Sequence, residues 1–154
     1  MMDLSPLALW QSLSAQPGGK WLFSRAICFK APYFASISPR FEVLRPGHCE
    51  VSVRKHRAVL NHIGTVHAIA MCNMAELAGG TLTEVTVPAT HRWIPKGMTV
   101  EYLKKAGTDL RAVATPVGDL PAGAGEYPVQ VDVFDTAGDV VFRAVIAMWV
   151  SAKK

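Results

Sequence analysis

The hydrophobic and polar positions divide this chain into a front half read as helix and hairpin and a back half of strands. Residues 61–80, NHIGTVHAIAMCNMAELAGG, are almost wholly apolar and of helical length, which predicts a long buried helix over about 65–80. Ahead of it, Leu7, Leu9, Trp10 and Leu13, with Asp3 or Ser5 as a cap, predict a short N-terminal helix over about 3–16, ended by Pro17, Gly18 and Gly19. Residues 23–37 mix apolar and basic positions and are interrupted by Pro32. Two strand-like runs, 41–45 and 49–54, meet at Pro46-Gly47. In the second, Cys49, Val51 and Val53 alternate with Glu50, Ser52 and Arg54, the pattern of a half-buried strand.

Residues 81–97 are rich in Thr and Pro and show no period, so their path is open. From Met98 onward four strands are predicted, at 100–105, 110–117, 127–135 and 140–150, separated by Gly107-Thr108-Asp109, the loop 118–125 and Thr136-Ala137-Gly138. Val129, Val131 and Val133 alternate with Gln130 and Asp132, whereas 140–150 is apolar on both faces and belongs inside the sheet. Strands, one buried helix and more strands predict a single α+β domain over 1–154, with an antiparallel sheet of five or six strands wrapped around a long central helix. The small residues Ala68, Ala70, Ala75, Ala78, Gly79 and Gly80 let the sheet approach closely.

Composition narrows the class. A chain of 154 residues, half of them hydrophobic and only 18% charged, buries a core without disulfide or metal staples and is not disordered outside its ends. The net charge of +4 is scattered along the chain and forms no block, which excludes a nucleic-acid tract. Cys28, Cys49 and Cys72 are odd in number and lack zinc spacing, as expected of reduced thiols, with no metal. No basic residue precedes Lys20 and no apolar run approaches about 18 residues, so the expectation is a cytoplasmic protein with no secretory signal and no membrane partner.

Candidate chemistry centres on Glu76. An unpaired carboxylate buried in an apolar helix costs several kcal/mol, so it is expected to have work to do. Asn61, His62, Gly64, Thr65 and His67 form a polar entrance to the same helix, where free backbone N–H groups and the helix dipole can polarise a carbonyl.

These residues resemble the hotdog fold, and their spacing is similar to that of the phenylacetate-pathway type of acyl-CoA thioesterase. In that family an Asn precedes a Gly and a His, two small residues follow, and a Leu-Ala-Asp step lies in the helix. Asn61, Gly64, His67, Ala68 and the step Met74-Ala75-Glu76 stand in those places here. The family's Gly-Gly is Ala68-Ile69 in this chain, and its Asp is Glu76, the acid used by another branch of hotdog thioesterases. The resemblance runs loosely over about 41–150 and is specific over 61–80. A Ser or Thr often supplied by a partner subunit falls near Pro95, with Thr90 and Thr99 the nearest hydroxyls.

The resemblance implies a thioester hydrolase in which Glu76 acts as general base or nucleophile, the backbone N–H of Ala68 is the oxyanion donor, Asn61 orients water or carboxylate, and His67 shapes the loop. On the substrate side it implies His62, Gly64 and Thr65 at the entrance, Met71, Trp93 and Ile94 along the acyl group, and Arg92, Lys96, Lys104 and Lys105 as a rim for coenzyme A phosphates. No cofactor is implied beyond coenzyme A as part of the substrate. The partners implied are an acyl-CoA or other acyl thioester and further copies of the chain, as a homodimer or a dimer of dimers. Two alternatives stand: a hotdog (R)-3-hydroxyacyl dehydratase using His62 and Glu76, and a non-catalytic acyl-CoA-binding module. Asn61 can also serve as a plain N-cap, and Cys72 is read as an inert core residue.

Overall fold

The computed structural model describes residues 5–154. Asp3, one of the two caps considered above, lies outside them. Ser5 caps α1 (Pro6–Leu13), its hydroxyl accepting from the Ala8 N–H at 3.3 Å, and Pro6 opens the helix where a missing N–H costs nothing. The chain then reverses through Gly18, at φ +73°, directly into a second helix, α2 (Gly19–Lys30), that the sequence pattern did not reveal. Gly19 is required where the two helices meet, because a Cβ there would lie 1.7 Å from the Leu13 carbonyl oxygen. Phe23 of α2 meets Trp10 and Phe41 edge-on, each with ring centroids 5.1 Å apart. Trp21, Leu22 and Phe29 face outward, and this one-sided burial with large apolar residues on both faces hides the helical period. A 3-10 turn, Pro32–Ile37, follows.

The six strands are β1 (Arg40–Arg45), β2 (His48–Val53), β3 (His91–Tyr102), β4 (Leu110–Pro116), β5 (Gly125–Phe134) and β6 (Val140–Ala152). They form one antiparallel sheet in the order β1-β2-β4-β5-β6-β3, with the helix α3 (Ala68–Thr86) packed on it. Met74, Ala75, Leu77, Ala78 and Leu82 of α3 are buried against Val51, Ala114, Val129, Val131 and Ile146. Burial of each of the Met, Leu, Val and Ile side chains among them contributes about 1.5–3 kcal/mol. The close approach expected of the small residues is realised at Gly79, where a Cβ would come within 2.8 Å of Ile146, and at Gly80, where it would meet the Trp93 ring at 3.1 Å. A six-stranded antiparallel sheet wrapped on a long helix is the hotdog fold that the motif implied.

The element ends differ from expectation for local reasons. Helix α3 begins at Ala68, because Val66 is drawn out of the helix by a bridge to Leu60 and an N–H bond to the Ala106 carbonyl. It continues to Thr86, with the hydroxyls of Thr81, Thr83 and Thr86 satisfied within the helix by the carbonyls of Leu77, Gly79 and Leu82, and Pro88 follows its end. β3 starts at His91 instead of Val100. It lies at the sheet edge with a bulge between Pro95 and Gly97, which is where a strand tolerates proline. β3 also stops at Tyr102, leaving Lys104 and Lys105 beyond it. β6 lies inside the sheet, as its apolar run predicted.

Candidate active site at the groove along α3

The entrance to α3 is held by Asn61. Its Oδ1 accepts from the N–H groups of Ile63 and Thr65, both at 3.1 Å, and its Nδ2 donates to the Thr65 hydroxyl at 2.8 Å. The Asn61 N–H donates to the Thr65 carbonyl, and Gly64 turns the loop at φ +78°. The carboxamide is thus engaged within its own loop. The N-cap position belongs to His67, whose Nδ1 accepts from the Ile69 N–H at 3.0 Å. That bond puts the ring proton of the neutral form on Nε2. Ala68 is the first helical residue, at the positive end of the dipole. It lines a cavity of about 360 Å³ together with Asn61, Thr65, Met71, Lys104 and Lys105.

Glu76 is not buried in the chain. It is exposed, because one side of α3 faces a groove whose opposite wall is α2 and the 3-10 turn. Two cavities meet at this carboxylate. One, of about 390 Å³, is walled by Tyr33, Phe34, Ile69, Cys72, Asn73 and Met98. The other, of about 520 Å³, is walled largely by apolar groups, among them Ile27, Phe34, Leu77, Trp93 and Pro95. Trp93 is held there by an N–H bond from Nε1 to Glu84 at 2.6 Å. Cys72 is a partly buried wall residue, not core, with its Sγ 3.9 Å from the Tyr102 hydroxyl.

Two contributors were not singled out from sequence. The 27–34 wall comes from the unrecognised helix α2 and the turn after it. Asn73 is 7% exposed and lies one turn before Glu76. The Ser36 hydroxyl donates to the Tyr33 carbonyl at 2.7 Å and accepts from Asn73 Nδ2 at 3.1 Å, so Asn73 Oδ1 is a buried acceptor without a partner. A polar amide in an apolar run, three residues before the carboxylate, was the available signal.

The remaining candidates scatter. Ala68 and Glu76 are separated by about 12 Å along the helix axis and about 80° around it, and they line different cavities. His62 is exposed in the entrance loop and lines neither cavity at Glu76, so the single chain does not assemble a His62–Glu76 pair. Ile94 alternates with Trp93 along β3 and is exposed, at 59%. Lys96 sits over the Trp149 ring at 4.2 Å, and Arg92 reaches the Ser151 hydroxyl. Lys104 pairs with Asp139 and Asp135, and these bonds raise its pKa. Thr90 bonds to its neighbour His91, and Thr99 is exposed on β3. Among the described residues no group of His, Cys, Asp and Glu is arranged to hold a metal, and no helix is long and apolar enough to cross a membrane.

Comparison with solved structures supports this architecture. The chain is 50% identical to the structural-genomics target APC5556, with a TM-score of 0.84 over 97% of this chain and 99% of that one. It is 26% identical to a Pseudomonas aeruginosa protein described as of unknown function and a probable thioesterase, with a TM-score of 0.75 over 86% of this chain and 96% of that one. A Haemophilus influenzae thioesterase shares the fold at 12% identity, with a TM-score of 0.73 over 82% and 87% of the two chains. No curated protein is similar to the chain at a significant level. The sequence profile described as a domain of unknown function, DUF4442, matches residues 19–150. With that match spanning most of the sequence and the hotdog architecture beneath it, the chain belongs to the DUF4442 family.

Proposed function

We propose that this protein hydrolyses an acyl thioester, with Glu76 as the catalytic carboxylate. The observation that carries the reading is the place of Glu76, the one acidic side chain in 61–80, at the junction of two largely apolar cavities along α3. A carboxylate there can take a proton from water while the water oxygen bonds to the carbonyl carbon, or attack that carbon itself. In the first case the carbon–sulfur bond breaks and the leaving thiolate takes the proton that Glu76 accepted. In the second the thiolate leaves and is protonated by solvent, and water then hydrolyses the mixed anhydride on Glu76 to release the acid. The developing oxyanion needs a donor, and the Ala68 N–H at the α3 N-terminus is of the right kind. The description of the Pseudomonas relative as a probable thioesterase points the same way.

The two groups come together through a second copy. Ala68 and Glu76 of one chain line separate cavities, and no described element covers the outer edge of the twelve-residue strand β3. Such an edge invites pairing. Phe29, Tyr33, Ile69 and Ile94 are exposed on the same chain, at 91%, 69%, 55% and 59%. Pairing two β3 edges about a twofold axis sets the two α3 helices antiparallel, so the N-terminus of one can face Glu76 of the other.

The test is thiol release from a panel of short-chain, medium-chain and aromatic acyl-CoAs, wild type against Glu76→Gln. The expected result is turnover by the wild type and a loss of about 100-fold or more in kcat for the variant. Binding without turnover by the wild type on every substrate overturns the hydrolase in favour of a binding module.

A further inference from the structure

A second, chemically different cleft lies on the other side of the 3-10 turn. It measures about 750 Å³, within the range of small-molecule sites, and its walls include Trp21, Arg25, Arg40, Arg54 and His56, with the carboxylates Glu42 and Asp109. Both carboxylates are already engaged. Glu42 is held by Lys20 and Arg40, each at 3.6 Å, and by the Ser52 hydroxyl at 2.7 Å, while Asp109 accepts the Lys55 N–H at 2.8 Å. Arg25 and Arg54 form no ion pair among the described residues. His56 donates its Nδ1–H to the Arg54 carbonyl at 2.8 Å, which leaves Nε2 for a ligand. Trp21 stands one helical turn from Arg25 on α2 and is 62% exposed, a large indole face presented to solvent beside two guanidinium groups that no carboxylate neutralises, Arg25 reaching only the Cys28 Sγ at 3.7 Å.

The cleft adjoins the site along two stretches of chain. Ser36 and Ile37 line a cavity shared with His67 and Asn73, while the next residues, Ser38 and Pro39, line the cleft. Likewise Ala58 and Val59 line the cavity and His56 the cleft. The cleft and that cavity thus flank the same two stretches of chain. The His67 cavity in turn shares Tyr33, Ile69 and Asn73 with the cavity at Glu76. The expected rim, by contrast, is largely occupied, with Lys104 paired to aspartates and Lys96 seated on Trp149.

We propose that this cleft binds the phosphorylated nucleotide end of the acyl group's thiol carrier, with the base against Trp21 and the phosphates on Arg25 and Arg54. Guanidinium groups bind phosphate through paired N–H donors, and an indole is the preferred stacking partner for a base or a cation. A concave cleft with an aromatic wall suits a nucleotide better than the broad face of a carrier protein. The assignment rests on the thioester reading for the identity of the carrier, though the nucleotide site itself can be tested without it.

The probe is adenosine 3′,5′-bisphosphate, titrated calorimetrically against wild type, Trp21→Ala and the double variant Arg25→Glu/Arg54→Glu, with inorganic phosphate as control and circular dichroism to check the fold. The double variant should weaken bisphosphate binding by about 10-fold or more, and Trp21→Ala should weaken it without changing phosphate binding. In turnover, the double variant should raise KM for acyl-CoA by about 10-fold with little change in kcat, while the same acyl group on N-acetylcysteamine is hydrolysed as by wild type. Unchanged bisphosphate binding overturns the proposal, as does phosphate binding as tight as bisphosphate binding or an effect confined to acyl carrier protein substrates. If the wild type hydrolyses nothing, yet binds the bisphosphate and loses it in the double variant, the nucleotide site stands and the hydrolase reading falls.

Discussion

Replacing Asn61 separates an organising role from a chemical one. The side chain makes three hydrogen bonds inside its own loop, to the N–H groups of Ile63 and Thr65 at 3.1 Å and to the Thr65 hydroxyl at 2.8 Å. Each such bond contributes about 1 kcal/mol net, so Asn61→Ala should cost about 2–3 kcal/mol. For a domain of this size that lowers the thermal midpoint by about 5–10 °C. The same loop delivers His67 and Ala68 to the start of α3, so on the proposed function thiol release should fall as well, by about 10-fold or more, through misplacement of the Ala68 N–H proposed as oxyanion donor. Asn61→Asp keeps the acceptor for both N–H groups, and the Thr65 hydroxyl can turn to donate to the carboxylate. It should therefore retain stability to within about 1 kcal/mol and most of the activity. Thermal unfolding followed by circular dichroism, paired with the thiol assay, reads both effects. An Asn61→Ala midpoint equal to that of wild type would mean that these bonds do not hold the loop, and an Asp variant as inactive as Ala would make the Nδ2 donor part of the chemistry.

Two further predictions concern stability. Gly19→Ala sets a Cβ 1.7 Å from the Leu13 carbonyl oxygen, so the α1–α2 corner must shift, at a cost of about 2–3 kcal/mol in urea unfolding. For Glu50, burial alone would raise the pKa, but hydrogen bonds from His48 at 2.9 Å and Arg111 at 2.8 Å overcome it and hold the group below the usual 4.5. A depressed folded-state pKa contributes stability above the unfolded value and loses it as pH falls through the folded one. Glu50→Gln should accordingly be less stable than wild type at neutral pH, with the gap closing in acid.

The sheet was legible where burial obeys a simple period. Val129, Val131 and Val133 alternate with Gln130 and Asp132 because one face of β5 packs on the core, and the same holds for Cys49, Val51 and Val53. Helix α3 was legible as an apolar run, but not its ends: it runs on through threonines whose hydroxyls are satisfied within the helix, and a tertiary bridge at Val66 delays its start. Helix α2 escaped because Trp21, Leu22 and Phe29 are large and exposed while Phe23 is buried, so polarity does not mark its faces. Glu76 was singled out for a reason the structure revises. It was read as a buried charge, yet α3 is open on the groove side and the carboxylate is exposed. Lys96 and Lys104 are engaged within the chain, which was not legible because charge type says nothing about partners, and Trp149, Asp135 and Asp139 are distant in sequence.

In the proposed dimer each site draws Glu76 from one copy and the Ala68 N–H from the other. Ala68→Pro removes that N–H while leaving the helix intact, since proline is favoured at the first helical position and His67 already has extended backbone. Glu76→Gln removes the carboxylate. Each variant alone should release little thiol from an acyl-CoA that the wild type hydrolyses. Unfolded together and refolded as a mixture, they should recover about a quarter of wild-type activity, because half the dimers are mixed and each mixed dimer holds one intact site. No recovery from a mixture shown to contain mixed dimers would contradict the shared site, and full activity of either variant alone would contradict its chemistry.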